Sequence, residues 1–141
     1  MPRVCGIDIK SSEAMLAVID ESDGDIELVD IEPRKIRIGN DESSIEIRSF
    51  FDSFINFIRD NRIDIVVLKK RAKRGQRAGG AVSFKLEALI QMNGLIDVIF
   101  VSGQGIAAEN KKTPFRIPEE LNKYQEAAFS AAVLHIRKTA L

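Results

Sequence analysis

The chain of 141 residues has a single cysteine and a single histidine. Lone Cys5 excludes an internal disulfide, and its place in an apolar run marks it as a small buried residue, not a reactive thiol. His135 is read as a packing residue, and no serine or cysteine stands in a nucleophile constellation. Net charge is lacking too. The 21 lysines and arginines balance 21 aspartates and glutamates, so no global field draws the chain to nucleic acid or membrane. No apolar stretch approaches the roughly 20 residues of a membrane helix. The first residues have no secretory apolar core, so a cytoplasmic protein is expected. Internal repeats and low-complexity tracts are absent. That leaves one ordinary domain, residues 1–141, with room for a core.

Charge is present but unevenly placed. Residues 20–32 are strongly acidic and residues 69–77 strongly basic, an asymmetry that can orient a partner at zero net charge. The pattern predicts strands over Arg3 to Ile9 and Glu13 to Asp20, joined by the short link 10–12. A turn at 21–25 leads to a third extended segment, Ile26 to Ile38, broken at Pro33. Ser43 to Glu46 has capping-box spacing, and Ile47, Phe50, Phe51, Phe54, Ile55 and Ile58 form the core face of a helix ending near Asn61. Ile65 to Leu68 and Val98 to Val101 are continuous apolar runs, as in strands buried on both faces of a parallel sheet. Between them, a basic glycine-containing loop precedes a helix over 81–93. A short helix over 104–111 and a last helix from Pro118–Glu119 to Lys138 complete the order. The fold class is α/β: a mixed five-stranded sheet, three antiparallel strands then two parallel ones, with helices on both faces.

Asp8 stands out because a carboxylate inside a buried strand is costly without a partner, a proton or a metal. With this element order, Gly6-Ile7-Asp8 followed by Leu16-Ala17-Val18-Ile19-Asp20 resembles the ribonuclease-H-like fold, nearest its crossover-junction resolvase (RuvC-type) branch. The pieces Val4-Cys5-Gly6, Ala78 to Lys85, Glu87-Ala88 and Gln125 to Phe129 resemble a small bacterial family of unknown function assigned to that fold. The resemblance implies a phosphodiester-hydrolysing site in which acids from the first strand, the fourth strand and the last helix hold Mg²⁺ or Mn²⁺. Hard cations prefer carboxylate oxygens, and two of them can stabilise attacking and leaving oxygens together. Asp8 matches the first acid and Glu126 lies where the last helix supplies one, so the metal ligands it implies are Asp8 and Glu126. A lysine, Lys69 or Lys70, stands where the fourth-strand acid is expected. A homodimer also follows from this likeness.

Glu87 is the best replacement acid. Ser83, Glu87 and Gln91 form a polar stripe on the second helix, either its solvated face or the lining of a pocket. Lys69, Lys70, Arg71, Lys73, Arg74 and Arg77 can neutralise phosphates of a nucleic acid or phosphorylated ligand. Gly79 and Gly80 can present helix-start N–H groups to an anion. No aromatic is interleaved for base stacking. The hairpin at 6–12 also resembles the phosphate-binding hairpin of actin-like ATPases and sugar kinases, which carry glycine where Lys10 stands and use two such domains. Two functions remain open. One is a resolvase-like domain of unassigned activity, with a site of Asp8, Glu126 and Glu87, that contacts nucleic acid or a phosphorylated ligand. The other is a non-enzymatic binding scaffold in which Asp8 pairs with Lys69 or Lys70.

Overall fold

The mainly apolar run Arg3–Lys10 forms strand β1, and the run Glu13–Ser22 forms β2. They pair antiparallel from Arg3↔Asp20 to Lys10↔Glu13, across a turn in which Ser11 takes a φ of 56°. The structure, a computed structural model, describes residues 2–71 and 80–139. The third extended segment is two strands, β3 (Asp25–Val29) and β4 (Lys35–Arg37), both antiparallel to β2. Pro33 lies between them and has no N–H for the ladder, so among the described residues the sheet has six strand segments where five were expected. β5 (Ile65–Lys69) runs parallel beside β1, and β6 (Val98–Val101) runs parallel beside β5. The order is β3-β2-β1-β5-β6, with β4 also on β2.

Helices cover both faces, as the mixed topology requires. Helix α1 (Ser44–Asp60) starts where Ser43 Oγ accepts the Glu46 N–H at 3.4 Å. Its Phe50, Phe54, Phe57 and Ile58 pack with Leu86 and Ile90 of α2 (Ala81–Gln91) over Cys5, Ile7, Val66 and Leu68. Phe57, outside the expected stripe, belongs to this core. On the other face, α4 (Glu126–Thr139) lays Ala128, Ala131 and Ala132 over Val4, Ala17 and Val67. Gly6 permits that approach, because a Cβ there would run into the Ala128 carbonyl. Helix α3 (Gly103–Lys112) follows β6 and packs on α4.

Three expected boundaries move. The last helix begins at Glu126 after a 3₁₀ turn, Lys123–Gln125, and not at Pro118–Glu119. Asn122 and Gln125 form a capping box, and the buried Gln125 Nε2 donates to Leu16 O on β2 at 2.8 Å. Tethering to the sheet sets the start, while Pro118 O only closes a turn with the Leu121 N–H. α2 ends at Gln91, because buried Asn93 accepts the Leu95 and Ile96 N–H groups and turns the chain. α3 extends to Gly103–Lys112, with Ser102 Oγ accepting the Gly105 N–H at 2.9 Å.

Candidate functional site

In β1, residues alternate between the two cores. Cys5, Ile7 and Ile9 belong to the α1/α2 side, and Val4 and Gly6 to the α4 side. Period two places Asp8 on the α4 side too. It is 1% exposed, and neither carboxylate oxygen has a hydrogen-bond partner among the described residues. The parallel register Ile7↔Leu68 makes Lys69 the lateral neighbour of Asp8. Lys69 Nζ and Arg71 Nη1 each stand 3.9 Å from Asp8 Oδ1. The carboxylate is thus held between two cations at ion-pair range, with no direct hydrogen bond.

Arg71 does more than face Asp8. Its Nη1 donates to Ile9 O, joining the second residue beyond β5 to the end of β1. Its backbone N–H points to Glu87 Oε2 at 3.5 Å. Its Nε is buried without an acceptor among the described residues. The expected stripe on α2 divides. Ser83 is buried and its Oγ donates to Ser11 O at 3.2 Å, Glu87 is half-buried against Arg71, and Gln91 is exposed. Ser83 therefore ties α2 to the β1–β2 turn.

Lys70 is exposed, its N–H bonded to Val101 O at 2.8 Å. With Lys69 and Arg71 it lines a cavity of about 500 Å³ closed by Ser102, Gly103 and Gln104 at the start of α3. This lies at the carboxyl ends of parallel β5 and β6, where α/β sheets commonly take ligands. Ser102, the N-cap of α3, carries a helix-start signal in the sequence but nothing there that places it at a site. Glu126, half-buried at the start of α4, lines an adjoining cavity of about 330 Å³ with Lys69 and Phe115. Gly80 is the N-cap of α2, with no side chain to cap it. Lys73, Arg74, Arg77 and Gly79 lie outside the described residues.

The residue types decide what this arrangement can hold. A pair of divalent cations needs converging carboxylates. Among the described residues no three of His, Cys, Asp and Glu come together to hold a metal ion. Glu87 reaches the Arg71 backbone from the opposite sheet face. The charges beside Asp8 are positive, which opposes a divalent cation there. The residues present do not fit a two-metal centre. Away from the site, burial pushes the Cys5 thiol up and the His135 imidazole down.

Residues 2–135 match a family described as "Protein of unknown function (DUF3010)". The chain belongs to the DUF3010 family. No curated protein matches the sequence. Among solved structures, Thermus thermophilus RuvC superposes with a TM-score of 0.75 at 11% identity, over 98% of this chain and 95% of that one. T. thermophilus RuvC in complex with Holliday junction substrate gives 0.69 at 11% identity, over 99% and 96%. The yeast mitochondrial Holliday junction resolvase Ydc2 gives 0.51 at 9%, over 94% and 75%. At these identities the likeness shows the fold, and this DUF3010 chain has the ribonuclease-H-like fold of the resolvases.

Proposed function

We propose that this DUF3010 chain is a nucleic-acid-binding domain on the resolvase fold, with its strand-one acid turned into an internal counter-ion. One observation carries this reading: Lys69 and Arg71 both lie 3.9 Å from Asp8 Oδ1. A lysine in place of the fourth-strand acid neutralises Asp8 instead of sharing a metal with it. Lys70 and the cavity beside it then face outward with positive charge available for phosphates. Lys73, Arg74, Arg77, Gly79 and Gly80 extend the proposed phosphate-contacting segment. T. thermophilus RuvC has been solved with a Holliday junction substrate, so branched DNA is the first ligand to try. A homodimer belongs to the same proposal, and so does the cytoplasmic setting expected from the sequence.

The rival reading is hydrolysis by Asp8, Glu126 and Glu87 with Mg²⁺ or Mn²⁺. Binding of a fluorescent four-way junction, measured by anisotropy with EDTA, Mg²⁺ or Mn²⁺, separates the two. The expected result is binding indifferent to the chelator and steeply weakened by salt, with no cleavage. Joint neutralisation of Lys70, Lys73, Arg74 and Arg77 should weaken binding at least about tenfold and flatten the salt dependence. Metal-dependent cleavage that Asp8→Asn abolishes would overturn the proposal and establish the rival.

A further inference from the structure

Lys69 lines two cavities at once, and so do Gly103 and Ala107. The two are therefore ends of one groove running from the carboxyl end of β5 to the space between α3 and α4. The ends differ in chemistry. The larger, about 500 Å³, carries Lys70 and Arg71. The smaller, about 330 Å³, carries Phe115, Ile117 and Ile106 together with Asn110 and the Glu126 carboxylate. A cationic end beside an end that combines an aromatic ring with polar groups, in volumes of this order, suits a small molecule with one strongly anionic group and one flat group that can also hydrogen-bond.

We infer that the groove takes one nucleoside 5′-monophosphate unit, its phosphate on Lys70 and Arg71 and its base against Phe115 and Ile117. The inference rests on the nucleic-acid reading when the unit is an unpaired nucleotide of a strand. It stands apart from that reading when the unit is a free nucleotide. Arg71 lines the groove and keeps donor capacity: its Nε–H has no acceptor among the described residues, although it is buried beside the Asp8 carboxylate. A phosphate oxygen is a strong, charge-assisted acceptor for a guanidinium. Phe115 is half-buried against the α4 core and lines the smaller cavity. Its N–H is fixed by Asn110 Oδ1 at 3.0 Å, and the Arg137 guanidinium lies 4.9 Å from its ring centroid. Every base has a π-face, so stacking there is tolerant of sequence. The aromatic that the basic segment lacks is thus supplied from a loop more than forty residues after Arg71 in the chain.

The test titrates the full chain with AMP, inorganic phosphate, and labelled 5′-phosphorylated single strands whose terminal nucleotide is intact or abasic. Two variants accompany it: Phe115→Leu, which keeps apolar bulk but removes the ring, and Lys70→Gln at an exposed position. The expected result is that AMP binds at least about fivefold more tightly than phosphate, a gap that Phe115→Leu closes. Lys70→Gln should weaken both. Strands with an intact end that outbind abasic ones in the same pattern identify the strand as the source; AMP binding without that preference identifies the free nucleotide. Phosphate matching AMP, indifference to Phe115→Leu, or no binding of either AMP or strands would overturn the inference. Junction binding that survives those results leaves the nucleic-acid proposal standing. AMP binding lost in Phe115→Leu, without junction binding, would remove that proposal and keep the groove.

Discussion

Asp8 sits between two cations that themselves reach solvent, with side-chain exposures of 30% for Lys69 and 19% for Arg71 against 1% for Asp8. The three positions should therefore respond unequally to substitution. Lys69→Met with Arg71→Met strands a buried carboxylate and should cost about 3–5 kcal/mol in denaturant unfolding. Adding Asp8→Asn should recover most of that loss, since it removes the stranded charge. Absence of recovery would show that the cations act through packing and the Ile9 carbonyl instead. Cys5 offers a second check at this scale. Burial pushes its thiol up, so it stays protonated and should resist iodoacetamide in the folded chain while reacting in denaturant. A lysine partner for Asp8 was legible in the sequence as Lys69 or Lys70, and the β1–β5 register chose Lys69. Arg71 was not legible, since the reach of a side chain just past a strand end follows no period.

At the scale of elements, the contact between α4 and β1 is the tightest constraint. Gly6→Ala would drive a methyl group into the Ala128 carbonyl, a backbone atom that cannot step aside. The substitution should cost about 3 kcal/mol by chemical denaturation. Gly39→Ala is the control. A Cβ there meets only the end of the Glu46 side chain, which can rotate away, so stability should change by less than about 0.5 kcal/mol. Asn122→Ala removes one half of the capping box that precedes α4 and should cost about 1 kcal/mol. Most elements were legible from periodicity: the α1 stripe, the apolar runs of β5 and β6, and the alternation in β2. The start of α4 was not, because Pro118–Glu119 is an equally good local signal. The choice fell to a long-range bond, Gln125 to the Leu16 carbonyl.

For the whole molecule, one sheet carries both cores, so thermal unfolding should be a single transition with coincident far- and near-ultraviolet signals. Its pH dependence has a defined sign. Burial lowers the His135 pKa below its ordinary 6.5, so the folded state favours the neutral imidazole. The unfolded chain takes up that proton first as pH falls. The His135 contribution is therefore complete above about pH 6.5 and declines as pH drops below it. His135→Gln should flatten that part of a melting-temperature profile measured between pH 7.5 and 5. An unchanged slope would assign the acid sensitivity to other groups.

Local order and fold class were written in the sequence, since strand alternation, helical stripes and cap residues act over a few positions. So was the anomaly at Asp8, because a carboxylate amid Ile7 and Ile9 is conspicuous in any strand. What those residues do together was decided only by the tertiary structure. Parallel pairing of β1 with β5 set Lys69 beside Asp8, and the end of β5 turned Arg71 onto the same carboxylate. Glu87 and Glu126, equally acidic in the sequence, were carried by α2 and α4 to opposite sheet faces. Charge type is a property of single residues. Whether acids meet each other or meet cations depends on register and on which face each helix covers, and both follow from packing of the whole chain.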